Sequence, residues 1–113
     1  MHELGIVFYI IKDVKKAAEE HGVSHVSAVV MDIGEVSTVV PHYLTDCWRW
    51  AADKEDMLTG CELRVNTIPA VTLCGDCRRE YKTVRYGKTC PYCQGGNTWL
   101  LRGNEVEIKE IIV

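Results

Sequence analysis

Four cysteines in two short pairs, Cys74-Gly75-Asp76-Cys77 and Cys90-Pro91-Tyr92-Cys93, constrain this chain more than any other feature. Two residues between thiols let both sulfurs turn toward one point. A second such pair, after the intervening Arg78 to Thr89, completes a tetrahedral set suited to a soft divalent cation. Zn2+ is therefore expected on Cys74, Cys77, Cys90 and Cys93, with a rubredoxin-like iron as the chemical alternative. Disulfides would require an oxidising compartment. A thioredoxin-like redox pair would open a helix after a strand, whereas Gly75, Pro91, Gly95 and Gly96 favour turns. The remaining Cys47 and Cys61 are expected as small, buried apolar residues.

A cysteine ribbon alone cannot account for the rest of the chain. Met1 to Glu20 repeats Leu4, Val7, Ile11, Val14 and Ala18 at three- and four-residue steps, which predicts a helix stopped by Gly22. Val23 to Val36, rich in valine, predicts a long strand ending near Ile33-Gly34-Glu35. Pro41 suits the first turn of a second helix, with Leu44, Cys47, Trp48 and Ala51 inward and Gly60 in or after its trailing loop. Glu62 to Asn66 alternates as a half-buried strand and leads through Ile68 to Leu73 into the first cysteine pair. Glu105 to Val113 alternates again and needs a sheet to join. The expected fold class is α+β: two helices on a small sheet, formed by residues 1–72 and 103–113, with the zinc ribbon inserted at 73–102.

Charge divides along the same boundary. From Cys74 to Arg102 there are six basic residues (Arg78, Arg79, Lys82, Arg85, Lys88, Arg102) against Asp76 and Glu80, a formal +4, and the whole chain carries −3, so the remainder is −7. Four thiolates on a divalent metal remove two more positive charges from the ribbon. Its Tyr81, Tyr86, Tyr92 and Trp99 serve knuckle packing as readily as base stacking, so nucleic-acid binding is a secondary reading. No apolar run is long enough to span a bilayer and no basic stretch precedes Leu4 to Ile11 as a secretion signal requires, so a cytoplasmic, non-membrane protein is expected. With no Gly-rich phosphate loop, nucleophile elbow or carboxylate pair with a reason to share a site, an enzyme is not expected.

The second chemical feature is Met1-His2-Glu3-Leu4. A free Met1 amine, the deprotonated backbone amides of His2 and Glu3 and the His2 imidazole can supply four nitrogens in one plane, an arrangement suited to Ni(II) or Cu(II) and of no advantage to zinc. An N-terminal histidine that is merely solvated is the plain alternative. The Glu3 side chain reads equally as an auxiliary nickel ligand, an acceptor behind the ligands, or an acid favoured in a first helical turn. His21 beside Gly22 suits a helix C-terminus, and His25 a sheet surface. Lys15, Lys16, Glu19, Glu20 and Asp53 to Asp56 read as solvated faces.

Taken together, Met1-His2-Glu3-Leu4, Ile33-Gly34-Glu35-Val36-Ser37, Pro41 with Leu44, and the four ribbon cysteines resemble the hydrogenase nickel-incorporation (HypA) family over essentially the whole chain. The resemblance implies a small metallochaperone. It would hold nickel around His2 as transient cargo, carry structural zinc on the ribbon, and deliver nickel to the large subunit of [NiFe]-hydrogenase with a partner GTPase, as a monomer or homodimer. In some organisms such a protein also serves urease. A zinc-ribbon interaction or nucleic-acid adaptor with an inert N-terminus is the reading of a different class.

Some positions depart from the family's pattern. His42 follows Pro41 where relatives often carry an acid, Gln94 separates Cys93 from Gly95, and Cys61 stands where alanine is common. The ribbon also lacks the histidines that some relatives place beside the zinc cysteines, which leaves pH-dependent ligand exchange without a basis here.

Overall fold

Each boundary of the fold follows from a local signal, although not every signal was read to its right length. The structure, a computed structural model, describes residues 3–113. The first helix, α1, runs Glu3–Glu20. It ends where Gly22 takes φ +67°, with the Val23 N–H bonded to the Ala18 carbonyl at 2.8 Å and the Gly22 N–H to Glu19. Val7, Ile10, Ile11, Val14 and Ala18 are its buried stripe; Ile10 joins the expected set, while Leu4 lies partly exposed. The second helix, α2 (Pro41–Ala52), buries Leu44, Trp48, Ala51 and Ala52, and the Trp48 indole donates to the Cys61 carbonyl at 2.9 Å. Cys47 is only half-buried, at the margin of the helix face expected to hold it.

The strand expected over 23–36 is shorter, β1 at Ala28–Gly34. Its parallel neighbour β2 (Glu62–Ile68) begins opposite Ala28, and its antiparallel neighbour β6 (Val106–Ile112) ends there. Ser27 still bonds to both neighbours, through Ile112 and Glu62, but before it the pairing ends, and Val26 bonds instead to the Met57 carbonyl in the turn Asp56–Leu58. The order β2-β1-β6 makes β1 central. Its Val29, Met31 and Ile33 face the two helices with Leu63, Val65, Ile108 and Ile111 beside them. The opposite face sets Ala28 and Val30 of β1 among the charged Glu62, Arg64, Glu107 and Glu110 of its neighbours, with Asn66 donating to Asp32 at 3.3 Å.

Pro69 cannot donate to a ladder. The chain therefore breaks between β2 and a second sheet, β4-β3-β5, formed by β3 (Val71–Cys74), β4 (Glu80–Lys82) and β5 (Thr98–Arg102), with a single helical turn α3 (Thr83–Tyr86). The two sheets meet at Gly34, Ala70 and Gly103. A Cβ on Gly34 would run into the Gly103 carbonyl, and one on Gly103 into Ala70. Glu35 and Glu105 close the joint, their carboxylates accepting from the Ala70 and Gly103 N–H groups at 2.9 and 2.7 Å. The described residues extend 54 × 26 × 16 Å with a radius of gyration of 17.6 Å, against about 13 Å for a compact domain of this length. The second sheet projects from the first.

Candidate metal centre

Both cysteine pairs fold into the same turn. After Cys77, Arg78 takes φ +64°, the Arg78 N–H reaches back to the Cys74 carbonyl at 2.9 Å, and the Cys74 N–H donates to Arg79. After Cys93, Gln94 takes φ +65°, the Gln94 N–H reaches the Cys90 carbonyl at 2.9 Å, and the Cys90 N–H donates to Gly95. This turn explains the interposed Gln94: the residue after the second cysteine must accept a left-handed backbone, which glycine does freely and a side chain does at a cost. Gly75 has no such latitude, since a Cβ there would press on Asn97 and the Trp99 ring.

The two turns bring the four sulfurs together. Cys74 and Cys93 lie 3.5 Å apart, Cys77 and Cys90 3.6 Å, and all four within 4.8 Å of one another. A disulfide needs about 2.05 Å, and all six cysteines are free thiols. A tetrahedron with metal–sulfur bonds of about 2.3 Å has edges near 3.8 Å, so the cluster fits a zinc ribbon.

The electrostatics point the same way. Burial opposes ionisation of Cys90, but the Cys93 and Tyr92 N–H groups stabilise its thiolate and bring it down to about 7. Cys93 receives the Gly95 N–H, yet Cys74 beside it, burial and the other two thiols push it up to about 12. Four sulfurs this close cannot all shed protons unless a cation takes their place.

Around the sulfurs there is little else. Cys74 and Cys90 are fully buried with Tyr81, whose hydroxyl donates to the Gly87 carbonyl at 2.8 Å and whose ring meets Tyr86 edge-on. Tyr86, Tyr92 and Trp99 face solvent, with Arg85 and Arg79 stacked over Tyr86 and Tyr92. Of the four ribbon aromatics, Tyr81 is packing and the other three are surface.

At the other end of the molecule, the nickel reading at Met1 and His2 falls outside the described residues. Glu3 is described: its carboxylate accepts from the Val40 N–H at 3.2 Å. Val40 is the N-cap of α2 and has no side-chain cap of its own, so Glu3 caps a neighbouring helix across space, a role that sequence spacing gave no sign of. His21 follows its plain reading at a helix end, whereas His25, expected on a sheet surface, lies in the loop before β1. His21 Nδ1 contacts the Ala17 carbonyl at 2.9 Å at the end of α1, and His25 Nε2 the Thr59 carbonyl at 3.0 Å. His42 pairs with Asp46 one turn along α2 at 3.4 Å, both exposed. Cys61 is buried, and burial together with Glu62 pushes its thiol up.

Compared with known proteins, residues 1–113 match a family model described as hydrogenase/urease nickel incorporation, metallochaperone, hypA. The chain belongs to the HypA family. Among curated relatives, it is 32% identical to hydrogenase maturation factor HypA of Geotalea uraniireducens, over all of this chain and 99% of that one. It is 28% identical to hydrogenase maturation factor HybF of Klebsiella pneumoniae, over 98% and 97%. Two solved structures share its fold. One is the solution structure of the Ni metallochaperone HypA from Helicobacter pylori, with TM-score 0.72 and 20% identity over 99% of this chain and 97% of that one. The other is a solution structure of HypA protein, with TM-score 0.75 and 22% identity over 99% and 95%. Among the described residues no helix is long and apolar enough to cross a membrane.

Proposed function

We propose that this family member is a cytoplasmic nickel metallochaperone, not an enzyme, that binds Ni(II) at its N-terminus and passes it on during maturation of [NiFe]-hydrogenase. Urease is a second recipient where the cell makes one. The observation that carries this reading is the family match across residues 1–113, whose description names nickel incorporation, in a chain that keeps histidine at position 2. The Met1 amine, the amides of His2 and Glu3 and the His2 imidazole hold the nickel in a plane, with protons released on binding. Cys74, Cys77, Cys90 and Cys93 hold structural zinc on the inserted ribbon, 73–102, leaving 1–72 and 103–113 as the nickel-binding body. A partner GTPase supplies the energy, and the hydrogenase large subunit receives the metal.

Cu(II) binds such a plane at least as tightly as Ni(II), so selectivity comes from metal supply and docking. Calorimetric nickel titration, with the d–d absorption of square-planar nickel, is the test for native protein, an N-terminally extended form and His2→Ala. Both changes are expected to abolish the plane and weaken binding to a similar degree. Unchanged affinity and spectrum in the extended form would show that side chains alone hold the nickel. Absence of nickel binding in all three would favour the adaptor reading, which the Arg79–Tyr92 and Arg85–Tyr86 pairs on the ribbon surface would serve.

A further inference from the structure

The cations of the ribbon are largely unpaired within the molecule. Among the described residues Arg102 meets a carboxylate, that of Glu80 at 3.7 Å, whereas Arg78, Arg79, Lys82, Arg85 and Lys88 are exposed and meet none. Two of these five are held in place by other means. The Arg79 guanidinium lies over the Tyr92 ring at 4.8 Å, and that of Arg85 over the Tyr86 ring at 5.5 Å. A guanidinium held over a ring keeps its N–H donors free, and it loses less rotamer freedom when they find an acceptor.

The two stacked pairs lie along one side of the ribbon. The Cys74 N–H donates to the Arg79 carbonyl, which carries the β3–β4 pairing one residue past Glu80. Alternation then puts Arg79 on the side of Tyr81 and sends Glu80 and Lys82 to the other. On that side Tyr81 packs with Cys74 and Cys90, and its ring meets Tyr86 edge-on with centroids 6.0 Å apart. A row results in which Tyr92 carries Arg79, Tyr86 carries Arg85, and the buried Tyr81 ring lies between the two pairs.

We propose that this row is a docking surface for an acidic segment of a partner protein, which sets a carboxylate against each guanidinium fork. Carboxylates match the fork's two parallel N–H donors and supply the opposite charge. Nucleic acid fits less well on two counts. Each of the two exposed tyrosines already carries a guanidinium where a base would stack. The formal +4 of residues 74–102 also falls to about +2 once four thiolates hold a divalent cation, which leaves little charge for the counterion release that drives binding to phosphate backbones. The surface adds a docking face to the chaperone reading and stands whether or not the N-terminus carries nickel.

Fluorescence anisotropy of a labelled peptide of alternating glutamate and glycine, titrated at low salt with the full-length protein holding its zinc, tests the proposal. Binding is expected, and is expected to vanish when the peptide's glutamates are replaced by glutamine. Arg79→Gln combined with Arg85→Gln should weaken it at least about tenfold. Lysine at both positions keeps the charge without the fork and should still weaken it several-fold. Tyr92→Ala, which removes a platform and no charge, should weaken it as well. Arg64→Gln with Lys109→Gln takes the same charge from the body and should leave affinity within about twofold. A peptide that does not bind, equal binding of the glutamine peptide, lysine variants equal to wild type, or an equal loss in the body variant would each overturn the proposal. So would tighter binding of a uridine oligonucleotide through the same arginines. Zinc content is measured for every variant: retained zinc with weakened binding supports the docking role, and zinc lost from the arginine variants would show that Arg79 and Arg85 serve the thiolate cluster instead.

Discussion

The two sheets of this molecule are of equal strand number and are held together by different physics. The body encloses a continuous apolar core in which Val7, Ile10, Val14, Val29, Leu44 and Leu58 are fully or almost fully buried. Among the described residues the second sheet buries Thr72, Cys74, Tyr81 and Cys90, with Cys77 at the margin. A segment with so little apolar surface to hide cannot offset the entropy of its own ordering. Its order rests on the metal for which its sulfurs are arranged, whereas the body's order is intrinsic. Consequences of a change should therefore depend on which region it touches, and the Gly34–Ala70–Gly103 joint should be the one place where the two are coupled.

The largest expected effect comes from the sulfurs. Removing zinc with a chelator, or replacing Cys74 and Cys90 together by serine, is expected to disorder the ribbon, because structural zinc sites contribute about 10–16 kcal/mol to the folding of small domains. Amide exchange should then show protection lost over β3–β5 and kept in α1 and β1. Simultaneous loss in α1 would mean the two regions are one cooperative unit, and stoichiometric zinc in the double serine variant, by elemental analysis, would refute the ligand set.

The converse experiment is Leu44→Ala, which opens a cavity beneath α2 and should cost about 2–5 kcal/mol in the body. Denaturant unfolding followed by circular dichroism measures it. Zinc content should stay at one per chain, and a drop would blur the distinction between the regions.

The joint itself is sharpened by Gly103→Ala. Gly103 sits at φ +117°, and an added Cβ would collide with Ala70, so a loss of about 1–3 kcal/mol is expected. Protection should fall on both sides of the joint, in β6 and β5 alike. An effect confined to one sheet would make the contact incidental.

The smallest effect belongs to Lys15→Ala. Its ammonium meets Glu55 at 3.0 Å, tying α1 to the turn after α2, but both side chains are more than a third exposed. Such a pair contributes at most about 1 kcal/mol, and less as salt is raised. Thermal unfolding of wild type and variant at low and high salt should converge; a larger, salt-insensitive loss would point to packing by the lysine stem.

The features that can be read from the chain are those whose cause is local. Helical stripes, Gly22 and Pro41 placed α1 and α2, and the cysteine spacing identified the four sulfurs because two intervening residues constrain a turn whatever surrounds it. β1 was over-read because valine favours extended backbone without saying where a partner strand begins; that was decided by Glu62 and Ile112, far away in sequence. The break between β2 and β3 was available in Pro69 but hidden by the continuous alternation around it.

Much of the rest was decided by partners distant along the chain. β1 pairs parallel to β2 and antiparallel to β6. Glu3 caps α2 through Val40, although a carboxylate in a first turn by itself implies only its own helix. Glu35 accepts from the Ala70 N–H, and Gly34 and Gly103 leave no room for a side chain, only because the two sheets are brought into contact. By itself the sequence determined the kinds of element and the grouping of the four cysteines, because propensity, periodicity and ligand spacing act within a few residues. Only the tertiary structure decided strand order, the free edge at β6 and the tight joint between sheets, because each is a contact between backbones that no local preference specifies.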